Sequence, residues 1–413
     1  MTELTIKKFW QFGCWNNLNT KKGKVLGCLP EVLGLINDRS MPEENKPDLL
    51  IISGDNYYPD KSESKDDKDE TVKKKLIFSE KLKQGIDYLP ENIKINMILG
   101  NHDLKTNDEG NLYINDLETL ENNDCQIIQL ELEALKLKKN VDYFFFKSQV
   151  INKDTLLLMI DTSIYEEDSY ANIYLPCYNK FFKDNVLYKN EDLEFDSVRT
   201  LRTYQLNKIM RAIERNIYIK NLIIVGHHPI YQVKYKKKEV VPLKYMSEIY
   251  IKFKPILENI YKILQDNIKY YYLCSDLHLY QKGKLQITMK NSKMPTEPKT
   301  MEIQQYIVGT GGTKLDDALP SERQNIYTEN NVTYTLEEER EECGFLECNI
   351  NSDNNPEFQF IPVVINKPIT TSLIKASGKK FKTKKSKTKK HNSKHNSKHK
   401  TKTKRKKLKK KNS

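Results

Sequence analysis

Short hydrophobic runs recur along the chain and predict a series of buried β-strands. Eight runs are rich in β-branched and aromatic residues: Thr5–Phe12, Leu49–Ser53, Ile95–Leu99, Tyr143–Lys147, Thr155–Asp161, Asn221–Val225, Tyr270–Cys274 and Ile303–Val308. Several of them lack alternating polar positions, which is typical of strands that are covered on both faces. The runs therefore predict strands inside a sheet that is flanked by other layers.

Between these runs the spacing of apolar residues becomes helical. Apolar stripes lie at Leu206, Ile209, Met210 and Ile213 and again at Ile256, Ile260, Ile263 and Leu264. The second stripe follows Pro255, and proline is common in the first turn of a helix, so we expect a helix to begin there. Strands that alternate with helices predict an α/β fold.

Polar motifs follow four of the predicted strands. They are Gly54-Asp55-Asn56-Tyr57-Tyr58, Gly100-Asn101-His102-Asp103, Gly226-His227-His228-Pro229 and Ser275-Asp276-Leu277-His278. Loops at the carboxyl ends of strands are where an open α/β sheet binds ligands. Asp, Asn and His supply oxygen and nitrogen ligands for iron, zinc or manganese. Two such metals, typically ~3.5–4 Å apart, can activate water and neutralise phosphoryl oxygens.

This series of motifs resembles the calcineurin-like metallophosphoesterases and, within them, the purple acid phosphatases. That family's motifs run Gly-Asp-Trp-Gly, Gly-Asp-Asn-x-Tyr, Gly-Asn-His-Asp, Gly-His-x-Pro and Gly-His-x-His, and here Gly13-Cys14-Trp15-Asn16 occupies the first position. The resemblance covers roughly residues 5–365. It implies a four-layer αββα sandwich, in which two mixed sheets are flanked by helices.

The resemblance also implies a ligand set for two metal ions. Asp55 would bridge both metals. The first metal would also bind Tyr58 and His278, and the second would also bind Asn101 and His227. The expected cofactors are iron together with zinc, manganese or a second iron.

Two histidines are expected to act on the substrate. By the same resemblance, His102 would lie beside the phosphate and act on the reacting oxygens as the catalytic histidine. The position of His228 varies in the family, so we expect a residue at the rim of the pocket that contacts substrate and not a metal ligand.

Two predicted ligand positions depart from the family. Cys14 stands where the family has an Asp on the first metal, and Asp276 stands where it has a His on the second. A thiolate binds iron or zinc and a carboxylate is common on either metal, so both residues are candidate ligands. Two functions stay open: a phosphomonoesterase with an altered metal site, and a catalytically inactive pseudo-phosphatase that acts as an interaction scaffold.

The positive charge of the chain is concentrated at its end. Residues 375–413 contain 20 Lys or Arg and no acidic residue, which leaves 49 basic against 56 acidic residues in the preceding part. We therefore predict a metallophosphoesterase-like domain at residues 1–366 and a disordered basic tail at residues 367–413. Such a tail could bind nucleic acid or another polyanion, or act in solubility or nuclear targeting. The sequence leaves the oligomeric state open.

The chain is expected to be intracellular, either cytoplasmic or nuclear. It shows no signal peptide pattern at its start and no apolar run of about 18 residues that could span a membrane. Its seven cysteines are an odd number without a regular framework, which favours a reducing compartment. Cys343 and Cys348 are accordingly predicted to be ordinary core and turn positions.

Overall fold

The computed structural model describes residues 5–18, 20–21, 24–25, 27–58, 82–104, 131, 135, 138–183, 193–236, 239–242, 246–264, 268–289, 299–329 and 331–364. The basic tail lies outside these residues, so its disorder, its boundary and its binding to polyanions stay predictions.

The described strands and helices are interspersed along the first two thirds of the chain. The strands are β1 (Lys8–Phe12), β2 (Thr20–Lys21), β3 (Lys24–Val25), β4 (Leu49–Ser53), β5 (Ile95–Ile98), β6 (Val141–Tyr143), β7 (Phe146–Asn152), β8 (Thr155–Ile160), β9 (Asn221–Val225), β10 (Val233–Lys236), β11 (Glu239–Pro242), β12 (Lys269–Cys274), β13 (Tyr280–Met289), β14 (Lys299–Val308), β15 (Ile326–Glu329), β16 (Val332–Arg340), β17 (Gly344–Ile350) and β18 (Pro356–Pro362). The helices are α1 (Leu29–Ser40), α2 (Asn101–Leu104), α3 (Asp168–Lys183), α4 (Val198–Glu214) and α5 (Met246–Leu264), and residues 82–87 are also helical.

Two mixed sheets form the centre of the fold. The first has the strand order β18-β17-β1-β4-β5-β6, in which β1, β4, β5 and β6 are parallel and β17 is antiparallel to both of its neighbours, β1 and β18. The second has the order β15-β16-β13-β14-β12-β9-β8-β7, with β8, β9, β12 and β14 parallel. Two mixed sheets with helices confirm the predicted α/β class.

Alternate residues of β1 show how the first sheet is covered. The Phe9 ring lies 6.4 Å from that of Phe358, which in turn contacts Tyr271 of the second sheet at 5.1 Å. On the opposite face, Trp10 donates a hydrogen bond to Glu347, which also pairs with Arg39 of α1. Because side chains alternate across a strand, β1 lies between the second sheet and α1 and is covered on both faces.

The run Tyr143–Lys147 was predicted to be one strand, and this prediction is wrong. The chain leaves the first sheet after β6 and enters the second at β7. The Phe144 N–H donates to Met97 in the first sheet, whereas the Phe145 carbonyl accepts from Asp161 in the second. The run is apolar because it crosses between the two buried sheets.

The prediction that a helix begins near Pro255 is also wrong. Helix α5 begins earlier, at Met246, and Pro255 lies inside it. A proline in this position removes one helical N–H donor. The buried residues Ile249 and Phe253 extend the apolar stripe in front of the proline, so packing along this face holds the helix together through that position.

The cysteines correct a third prediction. Cys343 forms a disulfide with Cys28, with a Cα–Cα distance of 6.4 Å, and Cys177 is disulfide-bonded as well, whereas Cys348 is a free buried cysteine. The 315-residue separation of the first pair hid it from sequence reasoning. Disulfides persist in oxidising compartments, so the cysteines no longer support an intracellular location, which stays a prediction.

Among the described helices, none is long and apolar enough to cross a membrane.

Candidate metal centre

Loops from both sheets meet at the carboxyl ends of their parallel strands. The predicted site residues follow β1 (Cys14), β4 (Asp55 and Tyr58), β5 (Asn101 and His102), β9 (His227 and His228) and β12 (Asp276 and His278). All nine are thus brought to one edge of the fold. Their roles as ligands, catalytic group or substrate contact stay predictions.

Three of these residues have an unusual backbone conformation. Cys14, Asp55 and Asp276 have φ angles of 53°, 53° and 59°, in the left-handed region that residues with a side chain seldom adopt. Such a conformation costs of order 1–3 kcal/mol and persists only where the surroundings enforce it. Each of the three is the second residue after its strand. The same backbone turn therefore occurs three times and presents a thiol once and a carboxyl group twice.

Asp103 joins the loop that follows β4 to the loop that follows β5. Its carboxyl group accepts hydrogen bonds from the Asn56 N–H at 2.6 Å, from the Asn56 side chain at 2.8 Å and from the Gly100 N–H at 2.8 Å. Burial and the nearby Asp55 raise the pKa of Asp103 to about 7. A Cβ atom on Gly100 would lie 2.4 Å from Asp55 Oδ1, so only glycine permits this approach of the two loops.

The Asp55 carboxylate faces two sets of donors. Its Oδ2 accepts from the Tyr58 hydroxyl at 2.5 Å and from the Cys14 thiol at 3.9 Å. Its Oδ1 accepts from the His102 N–H at 2.9 Å and lies 3.2 Å from His227 Nε2. Burial by itself would raise the pKa of Asp55, but the nearby His227 and His102 have the larger effect and hold this pKa well below its usual range.

On the Oδ2 side, Cys14, Asp55, Tyr58 and His278 form what we call the Cys14 group. The ligand atoms of Cys14, Asp55 and His278 lie within 4.8 Å of one another, and the Tyr58 hydroxyl lies 3.1 Å from His278 Nε2. Burial and the Asp55 charge raise the pKa values of the Cys14 thiol and the Tyr58 phenol well above their ordinary values. Burial lowers the pKa of His278. Without a cation, the thiol and the phenol therefore keep their protons.

We call Asp55, His227, Asp276 and Asn101, the candidate ligands of the second metal, the His227 group. His227 Nδ1 lies 2.8 Å from the Ser53 carbonyl, which only accepts, so Nδ1 carries a hydrogen. Nε2 is buried and lies 3.2 Å from Asp55 Oδ1 and 3.9 Å from Asp276 Oδ1. Burial lowers the pKa of His227, but Asp55 and Asp276 raise it to about 9 overall. At neutral pH a proton occupies Nε2 where a cation could bind.

Glu166, which sequence reasoning missed, joins Asn101 to His228. Its Oε1 accepts from Asn101 Nδ2 at 2.8 Å and contacts His228 Nε2 at 2.9 Å. The ligand atoms of His227, His228 and Asp276 lie within 4.8 Å of one another, yet both nitrogens of His228 already have partners, since Nδ1 contacts Thr162 Oγ1 at 3.0 Å. Glu166 follows β8 at its carboxyl end, as the other site residues follow their strands, and this position was the signal that could have identified it.

His102 lies at the start of α2, half-buried beside Tyr58. The centres of the two rings are 4.8 Å apart. Asp316 accepts from the His278 N–H at 3.2 Å and pairs with Lys234 at 2.7 Å. His102 thus lies next to Tyr58, and Lys234 is linked to His278 through Asp316.

Comparison with known proteins identifies the family. A family model described as calcineurin-like phosphoesterase matches residues 7–253. The chain belongs to this family, which confirms the resemblance and supports a metal-dependent phosphoesterase. No curated protein matches the sequence. The chain is 10% identical to the solved structure of PhoD, with a TM-score of 0.46; the match covers 87% of this chain and 69% of PhoD. It is 13% identical to another solved structure, with a TM-score of 0.37; this match covers 86% of this chain and 99% of that protein.

Proposed function

We propose that this protein hydrolyses phosphomonoesters with two metal ions, in the manner of purple acid phosphatases but with an altered ligand set. The observation that carries the proposal is the position of the Asp55 carboxylate. Oδ2 faces the Cys14 group and Oδ1 faces His227, so a single buried residue can offer one oxygen to each metal.

The residues of the two groups suit two metals. Cys14, Tyr58 and His278 would hold the first metal with Asp55, and Asn101, His227 and Asp276 would hold the second with Asp55. Asn101 Oδ1 is buried without a hydrogen-bond partner, which is costly unless a ligand occupies the site. The Cys14 thiolate favours iron or zinc at the first position, beside zinc, manganese or iron at the second.

The reaction needs a water nucleophile and stabilisation of charge on the phosphoryl oxygens. When bound, the two metals would supply both functions. His102 would hold or donate a proton at the oxygen of the departing alcohol, since it lies beside the Asp55 and Tyr58 side chains. Lys234, whose side chain pairs with Asp316 and is 27% exposed, would bind a substrate phosphate.

Metal content and turnover measured together test this function. Protein purified without chelator should hold two equivalents of metal and hydrolyse p-nitrophenyl phosphate. Asp55→Asn should lose metal at both positions, and its rate should fall more than about 100-fold. Loss of a residue that only orients a ligand costs at most about 100-fold, so a larger loss would indicate that Asp55 is itself a ligand. Asp142→Asn, at a side chain that is 44% exposed, is the matched control.

The pseudo-phosphatase alternative predicts a different result. A folded wild-type protein with little stoichiometric metal and no turnover would contradict the enzyme and favour the scaffold. A wild-type rate that Asp55→Asn leaves unchanged would mean that the reaction takes place elsewhere in the protein.

A further inference from the structure

We propose that Glu166 is a positioning residue for the second metal site. Its carboxylate turns the oxygen of the Asn101 amide toward the metal and keeps His228 bound as a hydrogen-bond donor, so that His228 cannot become a ligand. The inference rests on the proposed function, because it takes Asn101 as a ligand of the second metal.

The Glu166 side chain is held in place from several directions. It follows the 3₁₀ turn Ser163–Tyr165, and 13% of the side chain is exposed. Tyr174 donates to its Oε2 at 3.0 Å. Its backbone carbonyl accepts from Lys252 and Arg202, and both of these residues also pair with Asp168. The carboxylate is thus a fixed acceptor.

A fixed acceptor decides which end of the Asn101 amide faces the site. The oxygen and nitrogen of an amide are similar in size, so shape alone permits either orientation. Because the Glu166 carboxylate only accepts hydrogen bonds, it selects Nδ2, which lies 2.8 Å from its Oε1. The buried Oδ1, which has no hydrogen-bond partner, is then left for a metal. The reversed amide would present hydrogens to a cation.

The same carboxylate completes a chain of hydrogen bonds that fixes His228. Thr162 Oγ1 accepts from the backbone N–H groups of His227 at 3.0 Å and His228 at 2.9 Å. These bonds use both of its lone pairs, so its own hydrogen must go to His228 Nδ1 at 3.0 Å. The ring hydrogen of His228 therefore lies on Nε2 and is donated to Glu166 at 2.9 Å.

Two adjacent histidines thereby receive opposite functions. Both present a ring nitrogen within 4.8 Å of an Asp276 oxygen. His227 donates through Nδ1 to a carbonyl and turns Nε2 to the centre, whereas His228 has no lone pair left for a metal. Glu166 thus defines the ligand set of the second site by supporting one ligand and withholding another.

Competition between the full-length protein and a chelator for Zn²⁺ tests the inference, because it yields a dissociation constant for each site. Glu166→Met keeps the length of the side chain but removes the acceptor. We expect it to weaken the second site about 10–100-fold, the usual effect of losing a group that orients a ligand, and to leave the first site unchanged. Glu166→Gln should restore most of the affinity, because its carbonyl can replace Oε1 while the Tyr174 hydroxyl accepts from its amide.

A second background separates orientation from general damage. In Asn101→Asp the two side-chain oxygens are equivalent, so nothing remains to be oriented, and the added charge repels Glu166. Glu166→Met should then leave the second site unchanged or strengthen it. Glu166→Ala serves in both backgrounds if the Met variant does not fold.

The outcomes also distinguish this inference from the proposed function. Two Zn²⁺ bound by the wild type, with unchanged constants in Glu166→Met, would overturn the role of Glu166 alone. Equal losses in the wild-type and Asn101→Asp backgrounds would also overturn it, since they would indicate a purely structural role. A wild type that binds no second Zn²⁺ would overturn the proposed function together with this inference.

Discussion

The Cys14 group and the His227 group share Asp55 but are held together in different ways. In the Cys14 group the candidate ligands bond to one another, since Tyr58 and Cys14 both donate to the Asp55 carboxylate. In the His227 group the candidate ligands are oriented from outside, by the Ser53 carbonyl behind His227 and by Glu166 behind Asn101.

This difference shows two ways of accommodating buried anions before a metal arrives. Protons on the thiol and the phenol compensate the charge of Asp55 in the first group, and they must leave when a cation binds. In the second group, external hydrogen bonds fix the donor atoms in advance, so less has to change on binding. The first group should be sensitive to its ligand chemistry and to pH, and the second to the residues around it.

The largest expected effect comes from changing the two unusual ligands. Cys14→Asp together with Asp276→His restores the ligand types that the family resemblance implies. We expect metal occupancy and p-nitrophenyl phosphate turnover to rise together, with affinity at each site about 10-fold or more higher, because the remaining ligands are already present. Each single variant should improve only its own site, and this difference tests the division into two groups.

The comparison requires folded protein, because a charge in place of buried Cys14 costs several kcal/mol if no metal lies beside it. Circular dichroism melting of each variant provides that control. A folded double variant that remains free of metal and inactive would contradict the enzyme and leave the scaffold.

The next effect is the dependence of metal binding on pH. The raised pKa values of Cys14 and Tyr58 mean that both are protonated at neutral pH without metal, so binding at the first site should release about two protons. At the second site, His227, with a pKa of about 9, should release about one. Affinity at both sites should therefore rise with pH between about 6 and 8, more steeply at the first.

Calorimetric titration of Zn²⁺ in buffers with different ionisation enthalpies counts these protons. Cys14→Asp should lower the count at the first site, because a carboxyl group loses its proton at a lower pH than a thiol in the same surroundings. Equal proton release at the two sites would remove the contrast between the groups.

The smallest effect concerns the support of His227. Ser275 Oγ lies 3.0 Å from His227 Nδ1, but the Ser53 carbonyl lies closer, at 2.8 Å. Ser275→Ala therefore leaves the main acceptor in place and should weaken only the second site, by about 1 kcal/mol or roughly fivefold. Thr203→Ala, which removes an exposed hydroxyl that donates to the Arg199 carbonyl within α4, is the matched control for the Zn²⁺ titration. A loss of Zn²⁺ affinity as large as that of Glu166→Met would mean that the Ser275 hydroxyl, and not the Ser53 carbonyl, is the main group that orients His227.

Local sequence was enough to predict the loops of the site. Each motif follows a run of apolar residues, and a run buried on both faces reads as a strand without knowledge of its neighbours. Asp55 and His227 could be placed in strand-end loops because their motifs lie at the carboxyl ends of such runs, and their roles as ligands stay predictions. The motifs together also indicated the family, which the match over residues 7–253 confirms.

The partners of these residues could not be predicted in the same way. Glu166 follows β8 in one sheet and Asn101 follows β5 in the other, so their contact depends on how the two sheets pack together. Cys28 meets Cys343 because the start of α1 and the start of β17 bond to the same loop, through the Gly312 carbonyl and the Thr310 carbonyl. Contacts of this kind depend on the order of strands in the sheets.

The sequence by itself therefore determined the α/β class, the strand-end loops and the kinds of side chain they present, because hydrophobic periodicity and motif spacing are local properties. Only the tertiary structure decided the disulfide, the crossing of Tyr143–Lys147 between sheets and the helix that continues through Pro255. It also decided which nitrogen of each histidine carries hydrogen and which end of the Asn101 amide faces the site. The physical reason is that hydrogen-bond direction depends on acceptors that residues far apart in the chain supply.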